Sequence, residues 1–128
     1  MKLLIDSHVV IWFISEKNKV PKNVLELIRN SDNTCYVSIA TLWELSIKYS
    51  LGRLYLNISL SALFSIIQES GFLILPIDSK HIITNSSLPF HHYDPFDRII
   101  ISQAISEQFQ LISKDKKFKE YLPNIIWK

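Results

Sequence analysis

The 128-residue chain has one cysteine, two glycines and no long apolar run. With Cys35 alone, no intrachain disulfide can form and no zinc site can be built on several thiolates. Inside Thr34-Cys35-Tyr36-Val37-Ser38 it reads as a buried strand residue, which suits a reducing compartment. So few glycines, beside a hydrophobic fraction of 48%, exclude a disordered or low-complexity chain. The longest uninterrupted apolar stretch, Val9 to Ile14, falls far short of the roughly 20 residues that span a bilayer. Asp6 and His8 break the apolar N-terminus and no small-residue cleavage pattern follows, so no secretory signal is expected. A large charge of either sign is missing too: the formal net charge of +2 permits a nucleic-acid partner only if the positive side chains cluster. The expectation is one domain over residues 1–128, cytoplasmic, with no membrane partner and long enough to bury a substantial core.

What the chain does contain is an alternation of short apolar runs and helical patterns. Lys2-Leu3-Leu4-Ile5 reads as a strand buried on both faces. His8 to Ile14 follows as a helix, then a helix opened by Pro21 that stops in the turn-rich Asn30 to Asn33. Thr34 to Val37 is the second strand. Ser38 caps a helix over Ile39 to Ser50, with Ile39, Ala40, Trp43, Ile47 and Leu51 as its inner arc and Thr41, Glu44 and Lys48 as its polar stripe. Gly52 ends that helix in the left-handed region. A fourth helix runs from Ser59 to about Ser70, and Phe72 to Leu75 is a third strand. Ser79 to Ser86 is a short helix, Gln110 to Ser113 a fourth strand, Lys116 to Tyr121 a short basic helix and Asn124 to Trp127 a closing edge strand. Strands alternating with helices imply a parallel α/β layering with right-handed crossovers.

The segment His91-His92-Tyr93-Asp94-Pro95-Phe96-Asp97-Arg98 is the entrance of one more helix. Asp94 suits the cap and Pro95 the first helical position. Ile100, Ile101, Ala104 and Ile105 form its apolar side; Ser102, Gln103, Ser106 and Glu107 take the other. Asp97 heads the apolar stripe, and a carboxylate aimed at a core is costly unless something pairs with it.

In a parallel sheet, sites form outside the carboxyl ends of the strands. Asp6 closes the first strand, Glu44 lies in the second turn after the second, Asp97 opens the helix leading to the fourth, and Asp115 follows the fourth. All four therefore fall on one edge. Clustered carboxylates repel unless a cation neutralises them, and oxygen donors without thiolates favour Mg²⁺ or Mn²⁺ over zinc. Metal-assisted hydrolysis of a nucleic acid is the reaction class that follows. Each acid also has an ordinary explanation: Asp6 and Asp115 as helix caps, Glu44 as the i,i+4 partner of Lys48, and Asp97 as part of a capping arrangement with Asp94. The conjunction carries the argument.

Leu3-Leu4-Ile5-Asp6-Ser7-His8, Ser38 through Lys48, Asp94-Pro95-Phe96-Asp97-Arg98 and Ser113-Lys114-Asp115-Lys116-Lys117-Phe118, in that order, resemble the motifs of PIN-domain ribonucleases, and most of all the VapC-type toxins of toxin–antitoxin pairs. The resemblance implies a three-layer sandwich with a central, mostly parallel sheet flanked by helices. It implies a Mg²⁺- or Mn²⁺-dependent endoribonuclease acting on cellular RNA such as tRNA or rRNA, silenced by a cognate antitoxin and assembled as a homodimer. Asp6, Glu44 and Asp97 would be metal ligands, with Asp115 a fourth acid holding the metal or its waters. Ser7, where the family more often has threonine, and Ser113 would orient carboxylates or water. Ser102 stands where alanine is frequent, facing away from the site.

Around these acids, His92 reads as a turn or packing residue with a metal-ligand or proton-transfer alternative, and Asp94 as a cap rather than a ligand. Lys48 can neutralise Glu44 or meet a substrate phosphate. Lys114, Lys116, Lys117 and Lys119 cluster past the fourth strand, as a solvated face or as contacts to an RNA backbone. Trp12, Trp43, Tyr49 and Tyr55 are core by default, with a groove for an antitoxin segment or a dimer contact as the alternative. An aspartyl-nucleophile phosphatase would need a second acid two residues after Asp6, where His8 stands; a phosphoacceptor domain would need an acid at the end of the second strand. The remaining rival is a non-catalytic RNA- or protein-binding module of the same fold.

Overall fold

In the computed structural model, which describes residues 1–127, Leu3, Leu4 and Ile5 are wholly buried. Side chains alternate across a strand, so such a run requires a packed layer on each side. Four parallel strands, β1 (Lys2–Ile5), β2 (Thr34–Ser38), β3 (Leu73–Leu75) and β4 (Gln110–Ile112), form one sheet in the order β3-β2-β1-β4. Leu3 and Ile5 pack on one side with α1 (Ser7–Ser15), α2 (Lys22–Arg29), α3 (Ile39–Ser50) and α4 (Leu60–Glu69), through Val9, Val24, Leu45 and Leu63. Leu4 packs on the other with Leu111, Phe118 and the Ile100–Ile101–Ala104 face of α6 (Pro95–Glu107), which α5 (Ser79–Ser86) covers from outside. This is the expected α/β sandwich.

Local chemistry sets the helix starts as expected. Ser38 accepts the backbone N–H of Ala40 to begin α3, and Asp94 accepts those of Phe96 and Asp97 ahead of Pro95 to begin α6. Gly52 follows α3 at φ +69°, where a Cβ would be strained. Among the described residues, no helix is long and apolar enough to cross a membrane.

Four expectations need correction. The inner arc of α3 is Ala40, Thr41 and Leu45, whereas Ile39, Trp43, Ile47 and Leu51 face outward, Trp43 with 61% of its surface exposed. The helix has apolar side chains on two faces, and periodicity marks them without saying which one meets the sheet. Tyr49 and Tyr55 are likewise exposed rather than core. On α6, Ser102 and Gln103 are fully buried and Ile105 is partly exposed, because α5 covers the side expected to be wet. Part of their polarity is met internally: Ser102 Oγ donates to the Arg98 carbonyl and Gln103 Nε2 to that of Pro76, while Gln103 Oε1 is buried without a partner among the described residues. Finally, among the described residues Asn124 to Trp127 makes a single parallel bridge, Ile112 to Ile126, held by the Ile126 N–H on the Leu111 carbonyl and the Ser113 N–H on the Ile126 carbonyl.

Candidate active site

The strand order itself marks a crevice. From β1 the chain steps outward to β2 and β3, then returns to place β4 on the other side of β1. Connections leave the carboxyl ends of β1 and β4 in opposite directions, which opens a gap there. Asp6 stands at this gap, with its N–H bonded to the Ile112 carbonyl at 3.0 Å.

The Asp6 side chain is buried, and each of its oxygens accepts a hydrogen bond while keeping a further lone pair. Oδ1 accepts the N–H of Ser7 at 2.8 Å, and Oδ2 accepts the hydroxyl of Ser113 at 2.9 Å. Ser7 Oγ also donates to Glu44 Oε1 at 2.8 Å, which ties the end of β1 to α3. The other Glu44 oxygen faces Lys48 at 3.9 Å, a loose pair on a part-exposed surface. Ser113 Oγ accepts the N–H of Asp115, and Asp115 Oδ1 caps the turn over Lys116–Glu120 through the Lys117 N–H. Capping and clustering are compatible at Asp115, whose cap uses Oδ1 and leaves Oδ2.

Asp97 enters from the first turn of α6. Its Oδ2 lies 2.8 Å from His92 Nε2. His92 Nδ1 accepts the Tyr93 N–H, so the proton sits on Nε2 and the imidazole donates to Asp97. His92, Asp97 and Asp115 bring one ligand atom each within 4.8 Å of one another. Burial first, then the charges of Asp6 and Asp94, push the Asp97 carboxyl up to about 7 against the opposing bond and charge of His92. Asp6 is also raised by burial, with the charge of Glu44 adding, although the Ser113 bond, the charge of His8 and the Ser7 N–H pull it down. Asp6 thus feels both Glu44 and Asp97. Asp94 acts as the helix cap, with Oδ1 committed to two backbone N–H groups.

Sequence reasoning missed Arg98. It is 6% exposed, and among the described residues its guanidinium meets no carboxylate. It donates instead to the carbonyls of Asn85, Leu88, Pro89 and His92, and lies 4.2 Å from the centroid of the Phe90 ring. A fork of five donors suits a loop with many unpaired carbonyls. Arg98 therefore folds the segment before α6 so that His92 reaches Asp97. Its only sequence signal is a cation set immediately before three isoleucines.

The PIN domain family matches residues 3–121, most of the chain. The chain belongs to the PIN-domain family. This PIN domain matches no curated protein significantly in sequence. In fold it resembles VapBC2 from Rickettsia felis bound to a promoter DNA fragment, with TM-score 0.73, 24% identity and 100% of both chains covered. A DNA-bound VapBC from Salmonella typhimurium superposes with TM-score 0.70 and 19% identity over 98% of this chain and 95% of that one. FitAcB from Neisseria gonorrhoeae does so with TM-score 0.65 and 16% identity over 98% and 96%. At these identities the likeness is one of fold.

Proposed function

We propose that this PIN domain is a Mg²⁺- or Mn²⁺-dependent endoribonuclease, the toxin of a toxin–antitoxin pair, acting on cellular RNA in the cytoplasm. The observation that carries the reading is the grouping of acids around the crevice: Ser7 joins Asp6 to Glu44, Asp97 and Asp115 each bring one oxygen within 4.8 Å of the other and of His92, and burial with the Asp6 charge raises the Asp97 carboxyl to about 7. A set of carboxylate oxygens with no thiolate suits a hard divalent cation, and such a cation removes the repulsion. The fold neighbours include VapBC complexes, which supports the toxin assignment.

Asp6, Glu44 and Asp97 would hold the ion, with Asp115 as a further ligand or anchor for its waters. When bound, the cation supplies Lewis-acid polarisation of the phosphodiester and offsets charge on the leaving oxygen. The protein's own groups do the positioning. Ser113 and the Ser7 N–H fix the Asp6 carboxylate, Ser7 Oγ fixes Glu44, and His92 fixes Asp97. Lys48, beside Glu44, is within the region a substrate phosphate would approach, and Lys114, Lys116 and Lys117 add positive charge on the other flank.

The outward face of α3, with Ile39, Trp43, Ile47 and Leu51, supports protein partners: the cognate antitoxin and a second copy of the chain. Incubating the purified protein with bulk tRNA and rRNA tests the enzymatic reading. Cleavage is expected with Mg²⁺ or Mn²⁺, none in chelator, and a loss of at least about a hundredfold in Asp6→Asn. An inert wild type, or an equally active Asp6→Asn, would leave the non-catalytic binding module in its place.

A further inference from the structure

One cleft opens directly onto the carboxylate rim, between the first turns of α1 and the loop after β4. It measures about 430 Å³ and is walled by Asp6, His8, Trp12, Lys114, Asp115 and Lys116. Its size suits one small organic group. His8 and Trp12 stand one helical turn apart, ring centroids 5.9 Å from each other at 40°. Lys114 Nζ sits 5.4 Å and Lys19 Nζ 5.8 Å from the centroid of the part-buried Trp12 ring, so cations already lie against the indole, and the exposed Lys114 must swing aside for a base to take its place. His8, Lys114 and Lys116 are exposed.

These walls select a ligand. Their apolar surface comes from aromatic rings and lysine stems, not from branched aliphatic side chains, which suits a flat ring. Two acids disfavour a free anion, yet two lysines favour a phosphate whose remaining charge is screened nearby. A flat π-system carrying a phosphodiester satisfies all of them, since every base can stack on an aromatic ring while lysines follow the backbone. We propose that this cleft is a nucleotide subsite: the base next to the scissile phosphate stacks on Trp12 beside His8, and Lys114 and Lys116 hold its backbone. The proposal rests on the nuclease reading and adds to it the residues that seat the RNA.

Two assays separate the proposal from that reading. In chelator, where no cleavage occurs, the affinity for a labelled single-stranded RNA oligonucleotide is expected to fall about tenfold in Trp12→Ala. In Lys114→Ala it falls severalfold, with the salt slope reduced by about one. With Mn²⁺, KM rises in both variants while kcat is largely retained. An oligonucleotide carrying one abasic position binds the wild type more weakly but costs Trp12→Ala nothing further. Trp12 also packs on Trp127, at 6.0 Å between centroids, so Trp12→Phe, which keeps a ring and should keep most of the affinity, controls for folding alongside the exposed Lys114→Ala. Wild-type affinity and KM in Trp12→Ala and Lys114→Ala overturn the subsite, as does an equal abasic penalty in wild type and Trp12→Ala, or a wild type that binds no RNA. Failure of the wild type to cleave, with binding still dependent on Trp12, overturns only the nuclease reading.

Discussion

Ser113 and Asp6, 107 positions apart in sequence, share a hydrogen bond of 2.9 Å between hydroxyl and carboxylate. The bond links the ends of β1 and β4 across the crevice, and it points one Asp6 oxygen in a fixed direction. Ser113→Ala is therefore expected to weaken activity or metal affinity by about 10–100-fold, the usual cost of removing a group that orients a ligand. Raising the Mn²⁺ concentration should restore part of the rate. Cleavage assays across a Mn²⁺ series check this.

Asp97 gives a prediction with a definite sign in pH. Its folded carboxyl titrates at about 7 instead of the ordinary 3.8, so the metal-free native state holds a proton that the unfolded chain releases. Stability in chelator should then fall as pH rises from about 4 to about 7 and level off above. Asp97→Asn removes this dependence and should be more stable than the wild type above pH 7 by about 2 kcal/mol, or roughly 7 °C in Tm, a figure discounted for partial solvent access. Towards pH 4 the two should converge. Mg²⁺ should raise the Tm of the wild type by more than that of the variant. Differential scanning calorimetry at several pH values measures all three effects.

Four chain carbonyls depend on the Arg98 guanidinium. Arg98→Leu should cost about 2–4 kcal/mol in urea denaturation, because carbonyls lose a charged donor in a partly buried loop. Arg98→Lys should recover little, since one ammonium cannot span the same spread of acceptors. Activity should drop in both, as His92 loses its hold on Asp97.

Away from the site, Glu107 accepts bonds from Lys80 at 2.8 Å and His81 at 3.0 Å. These bonds hold its carboxyl below the usual range, the Lys80 bond foremost. A lowered carboxylate pKa contributes stability above the unfolded value near 4.5, lost as pH falls through the folded one. Glu107→Gln should cost about 1 kcal/mol at pH 7, a difference that shrinks below about pH 4.5. His81 Nδ1 accepts the Asp78 N–H, so this cluster is a cap joined to a helix contact.

The sequence made the layering and the helix starts legible because both follow from local rules. An apolar run ending in Asp6, the Ser38 cap and the Asp94-Pro95 start each declare themselves within a few residues. What escaped were properties fixed by contacts between distant elements. The outward turn of Trp43 depends on which side of α3 meets the sheet, and the burial of Ser102 and Gln103 depends on α5 lying across α6. The hold of Arg98 on the loop before its own helix depends on where Leu88 and Pro89 return. Periodicity records none of these.

Mn²⁺ titration by isothermal calorimetry tests most directly whether the acids act as one ligand set. If they share an ion, the wild type binds Mn²⁺, and Asp6→Asn, Asp97→Asn and Asp115→Asn each weaken the same binding event. Wild-type affinity in all three variants would contradict the account.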